Sequence, residues 1–382
     1  MNKKVALVIQ RYAPDTAGSE QHARITASLL AEHYEVEVLT TTASDMVTWR
    51  NHFSPGETAE GNIKIKRFEV TSGRQKTWEG LYALMLRRLK THGETGWPLS
   101  LEEEWIRLQG PHSEGLLAYL SEHQHNYDAV IFYTYLYSPT YFGTACVEKN
   151  RSLLMPTLHD EPAARLACYA HAARRVKRIV WNTFAEQKLG EKLWGNLPGT
   201  MTGLPIDIPD PVSPVRAAPY VLYSGRIEPG KGCDDLVAMI QNSSARVDLR
   251  LTGTKYMKLS GSRIHYEGYV TAQKKLELLA GSICFAMPSP NESLSIATLE
   301  AMAAGVPVLV NGKNPVLREH VEESGGGFCY ESSGEFDEAI LTLKDNADLR
   351  STMGQKGRAY VQRRFSHRSI RDAWISAIES EA

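Results

Sequence analysis

The sequence predicts an α/β protein with parallel sheets, folded as two Rossmann-like domains around a cleft. Three observations carry that expectation. Apolar runs of strand length alternate with helical patterns. The order strand, loop, helix, strand starts near residue 5 and again near residue 220. Between the two series stand Pro198, Pro205, Pro209, Pro211, Pro214 and Pro219, which suppress regular structure.

In chain order, Val5–Ile9 is a continuous apolar run, as a strand buried on both faces requires. The loop Gln10–Glu20 follows, containing Pro14, Gly18, Ser19 and Glu20. A helix is expected over Ser19–His33, because Ile25, Leu29 and Leu30 fall at helical spacing. Glu35–Thr40, Ala129–Tyr133 and Leu153–Leu158 read as strands. Residues 71–125 read as mostly helical and polar, with Trp78, Trp97 and Trp105; such aromatics are expected in the core, with stacking on sugars as the alternative. The Pro-rich stretch 205–218 is the expected semi-rigid linker. It divides an N-terminal domain, 1–204, from a C-terminal domain, 219–365. In the second series Tyr220–Tyr223, Val247–Leu251, Ile264–Tyr266, Ile283–Met287 and Val306–Val310 are expected strands. Helices are expected from Cys233, over Thr271–Ala280 and Ser295–Ala304, and over 335–345 and 347–381.

Composition narrows the class. The chain has 382 residues, 42% of them hydrophobic, which suits two cores and excludes disorder. Lys and Arg number 43 against 44 Asp and Glu, so no basic excess marks a dedicated nucleic-acid binder. The run Arg174-Arg175-Val176-Lys177-Arg178 reads as a solvated helix face, with contact to an anionic membrane surface or substrate as the alternative. Five scattered cysteines without CxxC spacing fit a reducing compartment and argue against zinc. The apolar run after Lys3-Lys4 is too short for a signal peptide, and no run is long enough to span a membrane. A soluble cytoplasmic protein is the expectation.

Candidate chemistry concentrates after the strands, where ligands bind in such sheets. Gly225-Arg226-Ile227-Glu228-Pro229-Gly230-Lys231-Gly232 follows a strand and opens a helix. A helix N-terminus attracts anions, and Arg226 and Lys231 add two cations unfavourable there unless an anion binds. Asp234 and Asp235 are expected to cap that helix. The string nearly satisfies GxxxxGK[ST], but Gly232 replaces the magnesium-binding hydroxyl, so a P-loop NTPase is a remote alternative. Glu292 and Glu300 are eight residues apart, a helical rise of about 12 Å. Each carboxylate can accept hydrogen bonds from a vicinal diol. N–H groups near Ser293–Ser295 are candidates for a phosphate between them. His159, after Leu153–Leu158, is placed to bond a substrate hydroxyl or phosphate, or to move a proton. Gly18 and Ser19 are candidates to offer N–H groups to a phosphate, with Ser19 as a plain helix cap the alternative.

Together these residues resemble the retaining nucleotide-sugar glycosyltransferases of family four, the group 1 type with the GT-B fold. The resemblance runs through Gly18-Ser19-Glu20, His159-Asp160, Ser224-Gly225-Arg226, Lys231-Gly232, Gly253 and Gly268-Tyr269-Val270. Its densest stretch is Pro288-Ser289, Glu292 and Glu300 to Val308. It implies two Rossmann-like domains facing a cleft, with a C-terminal helix, about 366–382, crossing back to an acceptor-binding N-terminal domain. The domain 219–365 would bind the donor. Arg226 and Lys231 would neutralise the donor diphosphate, and Gly18, Ser19, Gly225 and Gly253 would approach the donor. Tyr269 and Val270 would lie near the nucleobase. Glu292 would bind the sugar, Ser293, Leu294 and Ser295 would line sugar and phosphate, and Glu300 would bind the ribose. His159 would sit by the donor sugar and the incoming acceptor.

The resemblance implies transfer with retention, no metal, no cofactor beyond the nucleotide-sugar co-substrate, and no nucleic acid. It also implies a sugar, lipid-linked or other hydroxyl acceptor, a role in surface polysaccharide or glycoconjugate synthesis, and peripheral contact with the inner membrane face. The family carries Glu-Gly-Phe-Gly where this chain has Glu292-Ser293-Leu294-Ser295. Serine does not readily replace glycine where φ is positive. Weak catalysis with retained nucleotide-sugar binding is therefore an alternative reading, and a nucleotide-sugar epimerase on the same fold is another.

Overall fold

A computed structural model describes residues 3–13, 18–215 and 218–380. Pro14 of the first loop, positions 216–217 of the expected linker and the last two residues lie outside them. Contacts divide the chain into two units. One is Met1–Leu204 with Arg371–Ala382; the other is Pro205–Ile370.

The first unit is built on eight strands: β1 (Lys4–Ile9), β2 (Glu35–Thr41), β3 (Gly56–Glu60), β4 (Ile63–Phe68), β5 (Ala129–Tyr133), β6 (Ser152–Met155), β7 (Arg178–Trp181) and β8 (Gly199–Met201). Their order is β3-β4-β2-β1-β5-β6-β7-β8. All pairs are parallel except β3 with β4. The central strands carry apolar side chains on both faces because helices cover both: β1 is buried from Val5 to Ile9, and β5 throughout. β3 and β4 form a hairpin through Gly61-Asn62, with Gly61 at φ +56 as the first central residue of the turn. Helices Thr77–His92, Leu99–Gln109 and Glu114–His123 fill the polar stretch before β5. Trp105 is buried in their core.

The second unit has six strands: β9 (Tyr220–Ser224), β10 (Asp248–Thr252), β11 (Ile264–Gly268), β12 (Cys284–Met287), β13 (Val308–Asn311) and β14 (Gly327–Tyr330). They are all parallel and run β11-β10-β9-β12-β13-β14. Numbered within the unit this is the doubly wound order 3-2-1-4-5-6, whose direction reverses between β9 and β12. In the first unit the reversal lies between β1 and β5. Crevices at such reversals, outside the carboxyl ends of the strands, are where doubly wound sheets bind ligands.

Several expectations change. The Pro-rich segment, expected as a semi-rigid linker, is hydrogen-bonded to the second unit. Ile206 N–H donates to the Phe365 carbonyl (2.9 Å), Val215 N–H to that of Glu277 (3.1 Å), and Arg358 to that of Pro209 (2.9 Å), so it straps onto the second unit. The basic run is not one helix face. Its helix, Ala167–Arg175, ends inside the run, Val176 is buried, and Arg178 opens β7. Arg174 donates to the Trp194 carbonyl (2.9 Å), Arg175 lies over the Tyr141 ring, and Arg178 donates to Thr200 Oγ1 (3.1 Å). The long C-terminal helix is two, Ala347–Arg364 and His367–Glu379. Glu379 pairs with Lys3 (2.8 Å) and accepts from the Tyr34 hydroxyl (3.1 Å), both in the first unit. Among the described residues, no helix is long and apolar enough to cross a membrane.

Candidate functional site

The site residues of the second unit stand on the loops that leave β9, β10, β11 and β12, except Glu300, which lies in the helix Ile296–Ala303. The loop after β9 is zipped to the loop after β10. Gly225 N–H donates to the Thr252 carbonyl (3.0 Å), Ile227 N–H to that of Thr254 (2.9 Å), and Tyr256 N–H to that of Ile227 (2.9 Å). The approach requires glycine at 253, where φ is +125 and a Cβ would stand 2.0 Å from the Gly225 carbonyl oxygen. The turn Pro229–Lys231 then leads through Gly232 into the helix Cys233–Asn242. Gly232 has φ +71, and a Cβ there would stand 2.6 Å from the Pro288 carbonyl oxygen. A P-loop serine or threonine therefore has no room at this position. Asp234 and Asp235 lie in the first turn, but no side chain caps the helix, so they act on it through charge alone.

Across from this turn, the segment Pro288–Ser295 joins β12 to the helix Ile296–Ala303. Lys231 Nζ meets Glu292 Oε1 at 2.7 Å, so two predicted site residues 61 positions apart in sequence are in direct contact. Arg226 pairs with Glu228 (3.2 Å), and Glu300 with Lys275 (2.9 Å). The cations expected to need an anionic ligand thus have carboxylate partners in the protein itself. Because the helix begins only at Ile296, the Glu292–Glu300 interval is part loop, and the uniform helical rise does not apply.

Ser295 overturns the expectation drawn from its residue type. It adopts φ +61 and ψ +68, the left-handed conformation that glycine takes readily, and serves as the residue before the helix. Its hydroxyl lies 2.9 Å from Thr298 Oγ1, and its carbonyl accepts from Thr298 N–H (3.0 Å). These bonds hold the serine in a conformation that costs a side chain energy.

The same segment is anchored from behind. Asn311 Nδ2 donates to the Pro288 carbonyl (3.1 Å) and Asn314 Nδ2 to that of Pro290 (3.0 Å). Buried His320 donates from Nε2 to the Leu294 carbonyl (2.7 Å), while its Nδ1 accepts from the Tyr360 hydroxyl (3.0 Å). Burial pushes the His320 pKa down to about 4, which keeps the ring neutral and both bonds intact near neutral pH. Sequence reading missed Lys275, Asn311, Asn314 and His320. Asn314-Pro315 carried a usable signal, since Asn followed by Pro marks a helix start, and Asn314 does cap Pro315–Ser324. The loop after β11 presents Tyr269, 83% exposed, next to Gly268, whose carbonyl accepts from Gly253 N–H (2.9 Å).

The first unit places Gly18, Ser19 and His159 at the carboxyl edge of its own sheet. Gly18 is the residue before the helix Ser19–Leu30, with φ +68, so Ser19 is its first residue rather than its cap. Buried Glu20 accepts from Arg11 (2.9 and 3.1 Å) and Gln10 (3.3 Å). Gln10 in turn accepts from the Thr134 hydroxyl (3.2 Å) beyond β5. β6 stops at Met155, so His159 stands on a loop of several residues rather than at the strand end. That loop is pinned by Leu158 N–H on Glu186 (2.6 Å), Glu161 N–H on the His159 carbonyl (2.8 Å), and the Tyr135 hydroxyl on Glu161 (2.6 Å). His159 itself is half-buried.

Two Rossmann-like units with the site residues gathered on carboxyl-end loops define a protein of the GT-B fold. Residues 210–360, about two fifths of the chain, match the family described as glycosyl transferases group 1. The chain is 29% identical over 183 residues to a GDP-mannose-dependent phosphatidylinositol monomannoside mannosyltransferase of Corynebacterium glutamicum, covering 43% of this chain and 48% of that protein. It is 36% identical over 96 residues to the human alpha-1,3/1,6-mannosyltransferase ALG2, covering 25% and 23%. The chain thus spans about half, or less, of the curated relatives it matches. Among solved structures, sucrose-phosphate synthase of Thermosynechococcus elongatus matches with TM-score 0.67 and 16% identity over 98% of both chains. Anabaena HepE, in complex with UDP and glucose, matches with TM-score 0.68 and 16% identity over 98% of this chain and 99% of that one.

Proposed function

We propose that the protein transfers a sugar from a nucleoside-diphosphate sugar to an acceptor hydroxyl with retention at the anomeric carbon. The observation that carries the proposal is the Lys231–Glu292 contact at the β9/β12 reversal. It holds a cation suited to a diphosphate and a carboxylate suited to sugar hydroxyls within one hydrogen bond of each other. In this reading donor binding parts the pair. Lys231 and Arg226 turn to the diphosphate, and Glu292 accepts from the sugar. Glu300 takes the ribose diol, Tyr269 and Val270 flank the base, and Gly225, Gly253 and Ser293–Ser295 line the phosphates and sugar. In the first unit, Gly18 and Ser19 approach the donor and His159 bonds a hydroxyl of the transferring sugar.

The reaction breaks the bond between the anomeric carbon and the diphosphate oxygen. The acceptor oxygen bonds that carbon on the same face, and its proton passes to the departing phosphate. The charge developing on the leaving group is met by Arg226 and Lys231, cations already turned to the diphosphate by donor binding, so neither need move at the moment of transfer. The proposal requires no metal, no further cofactor and no covalent enzyme intermediate. The acceptor is a sugar, lipid-linked or other hydroxyl compound of a surface polysaccharide or glycoconjugate. The GDP-mannose-dependent mannosyltransferase among the relatives makes GDP-mannose the first donor to assay.

Lys231→Ala tests the assignment. The expected result is a higher donor KM and a kcat/KM for transfer or donor hydrolysis lower by about 100- to 1000-fold, as for loss of one preorganised charge-stabilising group. Unchanged donor kinetics would remove Lys231 from the diphosphate site.

A further inference from the structure

We infer that the second unit carries a phosphate-binding cavity at the amino ends of its strands, at the edge of the sheet opposite the proposed donor loops. The cavity measures about 380 Å³ and is lined by Asp210, Ser282, Ile283, Pro307, Arg350 and Arg358 among others. Ile283 immediately precedes β12 and Pro307 precedes β13, which fixes the edge. A second hollow of about 350 Å³ shares Ser282, Ile283 and Arg350 and adds Lys344. Volumes of this size hold small molecules.

Charge gives the cavity its selectivity. Arg350 Nη1 donates to the carbonyls of Leu343 and Lys344, the latter at 2.9 Å. Arg358 donates to the carbonyls of Ala303 (3.1 Å) and Pro209 (2.9 Å). These bonds cap the helices Ser333–Asp345 and Ile296–Ala303 and fix both guanidiniums at the wall. They use two of the five N–H donors of each guanidinium and do not neutralise it. Among the described residues, neither arginine has an Asp or Glu within ion-pair distance, and Asp210 is the only acidic residue lining the cavity. Lys344 is likewise held by a carbonyl, that of Ala245 (2.7 Å), rather than by an acid. A phosphate accepts from such forks in bidentate fashion, and Ser351 offers a hydroxyl beside them. The phosphate is that of a soluble monoester or of a lipid headgroup. The inference does not depend on sugar transfer.

The test titrates the full chain with a hexose 6-phosphate, inorganic phosphate and the unphosphorylated hexose, read by calorimetry and thermal unfolding. A parallel arm floats the protein with vesicles of phosphatidylglycerol in phosphatidylcholine. Ser351→Glu sets a carboxylate at an exposed rim position and leaves both arginine caps intact; Arg350→Gln is the second variant. The expected result is binding of the phosphate probes and not of the free hexose, weakened about tenfold or more by Ser351→Glu, with nucleoside diphosphate affinity unchanged. Vesicle binding lost in the same variant, without binding of the soluble probes, would make the lipid headgroup the source. Absence of binding in both arms, or binding indifferent to Ser351→Glu, would overturn the inference.

Discussion

At the reversal of the first sheet the charges are sealed. Arg11 and Glu20 keep 11% and 3% of their side-chain surface, with Gln10 bonded between strand and helix. At the reversal of the second sheet, Lys231 and Glu292 keep 21% and 14%, and Arg226 and Glu228 keep 45% and 24%. The same winding order thus carries a structural pair in one unit and partly open pairs in the other. A sealed pair holds the fold, since breaking it strands a charge in the interior. A half-open pair can exchange its partner for a ligand at small cost to stability. The difference separates residues that build the crevice from residues free to work in it.

The sharpest way to break this comparison is to remove the acid from each pair. Glu20→Ala leaves Arg11 unpaired and is expected to destabilise the first unit by about 3–5 kcal/mol. Glu292→Ala is expected to cost less, about 1.5–3 kcal/mol, while abolishing most transfer. Urea unfolding of both variants, with activity measured alongside, checks the contrast. Equal stability losses would show that the second pair is also structural.

Acid probes both units next. Buried His22, donating from Nε2 to Asn182 Oδ1 (2.9 Å), and His320 both have pKa values lowered by burial to about 4. An unfolded histidine takes its proton near 6.5. Below that pH the unfolded chain binds more protons, so stability falls as pH drops from 6.5 towards 4 and is unaffected above 6.5. Each histidine is expected to contribute a loss of about 2 kcal/mol at pH 5. His22→Gln and His320→Gln should each flatten the acid limb of the unfolding free energy. In wild type, protonation of His320 should cost the bond that Nδ1 accepts from the Tyr360 hydroxyl, while the Nε2 donation to the Leu294 carbonyl persists. An acid limb unchanged in both variants would contradict the assignment.

The smallest effect belongs to Ser295→Gly. Relief of the left-handed strain opposes the added freedom of the unfolded chain, so stability should stay within about 1 kcal/mol. Activity should persist. A large gain in turnover would mean that the serine restrains the loop after all.

Much of the second unit was legible because most of its elements were announced locally, although the helix Pro315–Ser324 and β14 went unread. β9, β12 and β13 are short apolar runs bounded by Gly or Pro, and the glycines at 232 and 253 mark backbone approaches that no side chain permits. The first unit was less so. Every residue of β3 is exposed, so it has no apolar signature and exists because β4 pairs with it. β4 itself, Ile63-Lys64-Ile65-Lys66, did alternate and could have been read. Within the site, charge partners were the hidden part. Lys231 and Glu292, or Lys275 and Glu300, meet only through the winding of the sheet, and a lysine on a helix face gives no local sign of its partner.

The central claim is that the open pair at the second reversal is a diphosphate site. The most direct measurement is thermal stability of the full chain against GDP, UDP, ADP, dTDP and CMP, in wild type and Lys231→Ala. Ligand at about 100 times Kd adds roughly 2.7 kcal/mol, a shift of several degrees. The account predicts that one diphosphate stabilises the wild type, with or without magnesium, and that Lys231→Ala loses the shift. A shift of equal size in the variant, or one seen only with ATP and magnesium, would contradict it.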